Sequence, residues 1–112
     1  MISYADVFPL LAKAIPDFQA TPEDWREPTP YFFLSEMVQF ICRRAEMGAH
    51  DDSKRFSSLM ETLIVEGDAD IHDLVTDAME TLWECQMRDQ IAEDFGPKTF
   101  DRWRTLTERR TA

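Results

Sequence analysis

Residues 56–87 read FSSLMETLIVEGDADIHDLVTDAMETLWECQM, and this stretch determines the fold prediction. Apolar residues recur every three or four positions on both sides of Gly67, which is the spacing of helices with one buried face. Gly67 ends the first of these two predicted helices, and Asp70 is the predicted N-cap of the second, with Asp73 adding to an acidic first turn. Because so short a connection joins antiparallel neighbours, the stretch predicts a helical hairpin.

The two halves of this hairpin are weakly similar to each other. Met60-Glu61-Thr62-Leu63 recurs 19 residues later as Met79-Glu80-Thr81-Leu82. Stacked helical pairs are the unit of HEAT-like arrays, but one pair is too few for a solenoid. We therefore expect a single HEAT-like hairpin inside a larger bundle.

Helices are also predicted before the hairpin. Ser3 and Asp6 have the spacing of a capping box at the start of a helix over about 4–15. Pro9 requires either a later start near Asp6 or a kink in that helix. A second main helix over about 30–47 is apolar around most of its circumference, which predicts a central position in the fold. Between them, Trp25 is predicted on one short turn.

Asp51 or Asp52 is the predicted cap of the helix that ends at Gly67. Beyond the hairpin, a straight helix would turn Ile91 and Phe95 toward the acidic side, so we predict a break around 85–88. A short helix over about 88–95 and a last helix over about 98–109 follow, and residues 110–112 are expected to fray. The last helix has a thin apolar stripe of Phe100, Trp103 and Leu106. The fold class is all-α, a compact bundle of five to six helices in a single domain over 1–112.

Composition limits the function classes. The 112 residues include 22 acidic and 12 basic side chains, a formal net charge of −10. This charge repels nucleic acid and anionic membranes, and no apolar run is long enough to cross a bilayer. Residues 1–6 have no signal-peptide pattern, so we expect a cytoplasmic protein. In that compartment Cys42 and Cys85 are expected to be reduced, buried packing residues.

The acidic charge is unevenly distributed. No Lys or Arg occurs between Phe56 and Met87, whereas residues 98–112 hold five basic and two acidic side chains, a net charge of +3. The remaining residues therefore carry −13. Within the fourth predicted helix, five acids are spaced three or four apart and form one stripe opposite the apolar face. This acidic stripe consists of Asp70, Asp73, Asp77, Glu80 and Glu84.

The acidic stripe has three interpretations. It is a solvated helix face, a docking face for a basic protein partner, or a surface that pairs with the basic last helix. Trp83 lies at the edge of the same helix's apolar arc, beside the acids, where an aromatic side chain can anchor an interface. The alternative for Trp83 is ordinary packing between helices.

Motifs for catalysis or cofactors are missing. Residues 68–79 fail the calcium-loop pattern, because Asp73 and Met79 replace the required Gly and Glu. His50, Asp51 and Asp52 form a poor metal set, since zinc requires three or four convergent ligands. We therefore expect no catalytic, cofactor or metal site, and the enzyme alternative depends on a carboxylate pair, with Glu36 to be checked first.

Four segments together resemble a known class of proteins. They are the helix entry at 30–34, Glu66-Gly67-Asp68, residues 79–83 and Phe95-Gly96-Pro97-Lys98-Thr99. Over residues 30–107 the chain resembles uncharacterised small bacterial all-helical families, some of which look like immunity proteins of polymorphic toxin systems. Phe95 departs from the Leu expected there, and no functional residue is carried over. The resemblance implies a helical binding protein that inhibits a basic toxin.

The leading prediction is a small acidic cytoplasmic protein-binding module. Its partner-binding residues are the acidic stripe and Trp83, and its partner is a basic protein. The alternative is a structural or regulatory homo-oligomer in which the basic last helix of one subunit meets the acidic stripe of another. The third hypothesis is an enzyme with a carboxylate site.

Overall fold

The computed structural model describes residues 1–18 and 29–111, and within them the secondary structure is helical. The all-α bundle is therefore confirmed, while the short turn predicted around Trp25 lies outside the described residues. None of the described helices is both long enough and apolar enough to cross a membrane. The helices are α1 (Tyr4–Ala14), α2 (Pro30–Glu46), α3 (Asp51–Glu66), α4 (Ala69–Trp83), α5 (Arg88–Ala92) and α6 (Pro97–Thr111).

The turn between α3 and α4 is only two residues long. Gly67 packs so closely on Ile71 and on the Leu63 carbonyl that a side chain there would collide with both. Ile2 forms an isolated bridge to the same turn, since its N–H donates to the Glu66 carbonyl and the Asp68 N–H donates to the Ile2 carbonyl. The helices α3 and α4 therefore pack against each other as neighbours, and their likeness to a HEAT repeat remains a prediction.

Both predicted caps of this hairpin were misplaced. Asp68 is the N-cap of α4, because its Oδ1 accepts the Ile71 N–H at 3.1 Å, and Asp70 lies inside the first turn. The N-cap of α3 is His50, whose side chain makes no capping hydrogen bond. Asp52 is instead buried within the first turn of α3, where it pairs with arginines.

The N-terminal helix keeps Pro9 in its interior. α1 begins at Tyr4, as predicted, so of the two alternatives for Pro9 the later start near Asp6 was wrong. Ser3 and Asp6 do meet, but the Ser3 hydroxyl donates to the Asp6 carboxylate at 2.8 Å and does not accept a backbone N–H. The capping box is therefore replaced by a side-chain pair, since an Asp is too short to bond back to the cap as Glu does.

α2 is buried around much of its circumference, as predicted, but it is not the single central helix, because α3 packs against all five other helices. Thr29 caps it by accepting the Phe32 N–H at 3.2 Å, and Pro30 occupies the first turn, where no N–H is required. α2 packs against α1, α3, α4 and α5. Its buried residues surround much of the helix: Pro30, Phe33, Leu34, Met37, Val38, Ile41, Cys42 and Ala45.

The predicted break after α4 is confirmed. α4 ends at Trp83 and α5 begins at Arg88, which turns Cys85 and Ile91 into the core. An Arg88 Nη1 donates to the Trp83 carbonyl at 3.0 Å and reaches the Cys85 carbonyl at 3.5 Å. A cation at a helix C-terminus satisfies free carbonyls and favours the helix dipole, so Arg88 stabilises the end of α4.

α6 is held at its start by a residue of α3. Glu61 accepts the Thr99 N–H and hydroxyl, both at 2.8 Å, and the Lys98 N–H at 3.2 Å. Thr99 is fully buried, whereas Phe100 is 50% exposed, so the predicted stripe was wrong at that position. The helix also continues to Thr111, beyond the predicted end.

Candidate binding groove between α2 and α4

The acidic stripe occupies the outer face of α4, as predicted. Asp70, Asp73, Glu80 and Glu84 are exposed, and Asp77 is half-buried. Among residues 1–18 and 29–111, no Lys, Arg or His nitrogen lies within 4.0 Å of their carboxylate oxygens. The stripe therefore has no ion pair within the described chain.

A cleft of about 660 Å³ lies between α4 and α2 beside this stripe, and we call it the acidic groove. The two helices run in the same direction. Tyr31, near the start of α2, is within the field of Asp73, and Cys42, near its end, is bonded to Cys85 beyond the end of α4. The groove is lined by Ser35, Val38, Gln39, Cys42 and Arg43 from α2, by Asp77, Glu80 and Thr81 from α4, by Glu84 and Cys85 beyond it, and by Arg110 from α6.

The structure thus divides the acidic stripe into two parts. Asp77, Glu80 and Glu84 line the groove itself. Asp70 and Asp73 belong to the N-terminal part of α4, next to Tyr31. The stripe therefore extends the negative surface beyond one end of the groove.

The pKa values of Asp77 and Tyr31 are raised near the acidic stripe. Partial burial, followed by repulsion from Glu80, raises the pKa of Asp77. Burial, followed by the field of Asp73, raises the pKa of Tyr31, with smaller contributions from Tyr4, Asp77 and Asp70. The smaller, electrostatic part of each shift comes from neighbouring acids, which would favour a cation beside Asp77, although Arg43 and Arg110 also line the groove.

Trp83 is not part of the groove. Its ring lies 6.0 Å from that of Trp103, and the Arg88 guanidinium carbon lies 4.6 Å from its ring centroid. Trp83 is half-buried against the core at the junction of α4 and α6. Trp83 therefore lies beside Glu80 and Glu84 in the chain but outside the groove lining, and its contacts are those of a packing residue.

The prediction that both cysteines are reduced was wrong. Cys42 and Cys85 are buried as predicted, each 8% exposed, but they form a disulfide with 6.1 Å between the Cα atoms. The two cysteines are 43 residues apart in sequence, which matches no sequence motif. The expectation that they are reduced came from the predicted compartment and used no information on the distance between them. The sequence showed only that each cysteine lies within an apolar helical pattern, which indicates burial. The pairing of the two cysteines depends on how α2 and α4 pack.

Other candidate chemistry is dispersed. The described residues contain no group of three His, Cys, Asp or Glu arranged to hold a metal ion. Asp52 of the predicted poor metal set is committed to Arg44 and Arg55. Glu36 is half-buried on α2 and is not among the residues that line the groove. For the carboxylate-enzyme hypothesis, Asp77 has a raised pKa, but its neighbour Glu80 is exposed to water.

The basic last helix does not neutralise the stripe. Arg102 contacts His72 Nδ1 at 2.7 Å, and Arg104 pairs with Asp101 at 2.8 Å within α6. Arg110 lies at the edge of the acidic groove without forming an ion pair to the stripe in the described chain. The predicted pairing therefore does not occur within the described residues of one subunit.

Comparison of the chain with family models, curated proteins and solved structures finds no match.

Proposed function

We propose that this chain is a small protein-binding module whose acidic groove captures a basic segment of a partner protein. The observation that supports this is an ordered acidic stripe beside a cleft, with no ion pair to it from the described residues. Like charges three and four residues apart destabilise a helix by about 0.2–0.5 kcal/mol per pair. Lys or Arg side chains from a partner would remove that repulsion, whereas water only screens it.

The groove also suits a cationic segment by shape. Its lining includes Val38, Thr81 and the disulfide, and its α4 side carries Asp77 and Glu80. An Arg or Lys side chain can cover apolar surface with its stem while its charge pairs with a carboxylate. Complementary charge of this kind accelerates encounter and selects the partner.

The kind of partner is suggested by the resemblance of residues 30–107 to small bacterial all-helical families, some of which look like immunity proteins. In this proposal the chain inhibits a basic toxin, and α3 and α4 occlude the toxin's cationic surface. The groove supplies the charge complementarity that such an inhibitor requires.

A charge-reversal experiment tests the proposal. The groove variant carries Asp73→Lys, Asp77→Lys and Glu80→Lys. The matched control carries Glu46→Lys, Glu93→Lys and Asp94→Lys, three exposed acids at the ends of α2 and α5 that change the net charge equally. The probe is a fluorescently labelled helical peptide rich in Arg and Lys, followed by capture and cross-linking of partners from host lysate.

Wild type and control are expected to bind the peptide and to cross-link the same basic protein. The groove variant is expected to lose at least tenfold in affinity while its far-UV circular dichroism is unchanged. Equal loss in the control would show that net charge alone attracts the peptide. Unchanged binding by the groove variant would overturn the proposal.

The homo-oligomer is the second candidate, and the position of Arg110 favours it. This residue of the basic last helix already lies at the edge of the acidic groove, so the same helix of a second copy carries the matching charge. Sedimentation between about 0.01 M and about 1 M ionic strength separates the candidates, because salt screens exposed ion pairs. Assemblies that dissociate with added salt support the homo-oligomer, and a monomer throughout excludes it.

A further inference from the structure

The disulfide is part of the acidic groove. Both cysteines line the groove together with Asp77, Glu80 and Glu84. Cys42 belongs to the last part of α2, and Cys85 lies in the link between α4 and α5. The bond therefore fixes the two walls of the groove to each other at one end.

The end of the groove that contains Glu84 and Cys85 depends on the disulfide more than the rest of the groove does. α4 has already ended at Trp83, so Glu84 and Cys85 lie in a short link outside regular helix. The Glu84 and Cys85 N–H groups donate to the Thr81 and Leu82 carbonyls, and the disulfide is the covalent tie from this link to α2. Glu84 also repels Glu80, four residues before it on the same face. Without the bond, this link and the α2 wall would be joined only by noncovalent contacts, so the link would have more freedom to move relative to α2.

We propose that the Cys42–Cys85 disulfide is a redox control of the acidic groove. The oxidised chain holds the groove in its binding form, and reduction to two thiols weakens the capture of a basic segment. This inference rests on the proposed function of the same groove.

The reductant is a dithiol, and the exchange is balanced. One reductant thiolate attacks a protein sulfur, the protein S–S bond breaks, and a mixed disulfide forms. The second thiolate of the reductant then attacks the reductant's first sulfur, which is the one bonded to the protein in the mixed disulfide. The protein gains two electrons and two protons as two thiols, and the reductant leaves as a disulfide.

The charged residues around the groove affect this exchange. Glu80 and Glu84 repel an anionic thiol such as glutathione, while Arg43 and Arg110 of the same lining attract it, so the test uses a neutral dithiol. Because the sulfurs line the groove, a basic segment bound there covers them. The structure therefore links partner binding to protection of the disulfide.

Linkage makes the effect reciprocal. If oxidation strengthens binding of the basic segment by some factor, binding shifts the equilibrium for reduction by the same factor. A tenfold difference in affinity corresponds to about 30 mV in the two-electron reduction potential. The potential of the complex is therefore expected to be lower than that of the free chain.

The core is expected to persist after reduction. Cys42 and Cys85 are each 8% exposed, and a free buried Cys packs as a small apolar side chain. Reduction should thus change the groove and leave the helix content unchanged. This separates redox control of a surface from loss of the fold.

The test measures binding of the labelled basic peptide to the oxidised chain and to the chain in excess dithiothreitol. The variant Cys42→Ala with Cys85→Ala is measured in both conditions. The reduction potential of the wild type is then measured with and without peptide. Circular dichroism follows helix content, and mass spectrometry of alkylated protein counts thiols.

Wild type is expected to lose at least tenfold in affinity on reduction, with its helix content unchanged. The alanine variant should bind weakly in both conditions, and peptide should lower the reduction potential by about 30 mV per tenfold. Equal affinity in both states overturns the redox control but leaves the proposed function intact. Free thiols in the chain kept under oxidising conditions, or loss of helix on reduction, also overturn it. If the oxidised chain does not bind the peptide at all, the proposed function fails and the inference fails with it.

Discussion

Glu61 shows how one side chain determines where a helix begins. Burial alone would raise its pKa, but hydrogen bonds from Thr99 and Lys98 outweigh this, and the pKa of Glu61 is lowered below its ordinary value. A carboxyl group with a lowered pKa in the folded state stabilises the fold fully above its unfolded value near 4.5. That stabilisation is lost as the pH falls through the folded value.

We expect Glu61→Gln to lower the free energy of unfolding at pH 7 by about 1 kcal/mol, the usual size of a helix cap. As the pH falls below 4.5 and then through the lowered pKa of folded Glu61, the difference from wild type should close, because wild-type Glu61 becomes protonated as well. Urea unfolding at several pH values measures both. A difference that stays constant from neutral to acidic pH would show that the charge of Glu61 has no part in holding α6.

Asp52, like Glu61, is a carboxylate held by polar partners, but Asp52 is buried and its partners are arginines. Its side chain is 3% exposed and lies 3.0 Å from Arg55 Nη1 and 3.4 Å from Arg44 Nε. The Arg44 Nε is itself buried and has no hydrogen-bond partner. Removing the carboxylate leaves Arg44 with only its 3.8 Å contact to Asp17 and removes the carboxylate that Arg55 pairs with, and removing one partner is the costly way to break a buried pair.

Asp52→Asn is therefore expected to lower the free energy of unfolding by about 2 kcal/mol, less than for a fully buried pair because both arginines reach water. Asp51→Asn is the matched control, since Asp51 is exposed and forms no ion pair within the described chain. Thermal unfolding of the two variants side by side measures the difference. Similar stability of both would mean that water satisfies the arginines as well as Asp52 does.

Helix ends were harder to predict than helices. Apolar periodicity and Gly67 located the hairpin, and the conflict between Ile91 and the acidic side located the break before α5, because these signals are local in sequence. The caps were displaced because several Asp residues stand near each helix start, and each satisfies the same rule. Asp68 was chosen over Asp70 by the tight turn at Gly67, which no sequence pattern expresses.

Contacts between distant residues were missed altogether. Glu61 meets Thr99 across 38 residues, and Cys42 meets Cys85 across 43. Neither pair has a spacing that identifies it before α3, α4 and α6 are packed. The acidic stripe was found because all of its members lie on one helix or at its end, and the groove beside it depends on the packing of α2.

The contacts of Arg88 at the end of α4 lead to a prediction about the stability of that helix. Arg88 donates to the Trp83 carbonyl and lies over the Trp83 ring, so it caps α4 and covers its last side chain. Arg88→Met is expected to lower the free energy of unfolding by about 1 kcal/mol, the value of one charged hydrogen bond at a partly exposed site. It should also shift the tryptophan fluorescence, because the cation leaves the indole face.

Arg88→Lys is the comparison variant. A lysine can reach a carbonyl but cannot stack a planar guanidinium on the indole, so it should restore part of the stability and little of the fluorescence. Unchanged fluorescence in Arg88→Met would show that the stacked geometry does not persist in solution.

The charge of the complete chain links stability to binding. The formal net charge is −10, and the acidic stripe has no ion pair within the described residues. Self-repulsion of this kind lowers stability, and salt weakens it, since the screening length falls to about 10 Å at 0.1 M. The thermal midpoint of the wild type is therefore expected to rise with ionic strength.

Glu80 isolates the contribution of the stripe, because it lies three residues after Asp77 and four before Glu84. Glu80→Lys converts two repulsive pairs into attractive ones and should raise the free energy of unfolding by about 0.5–1 kcal/mol at low salt. Glu80→Gln only removes the repulsion and should gain about half as much. Both gains should shrink at high salt, and both variants should bind the basic peptide more weakly than wild type. A residue that costs stability and strengthens binding is what a functional surface requires, whereas a merely solvated face would gain stability with no loss of binding. Urea unfolding at two ionic strengths, paired with peptide titration, decides between these interpretations.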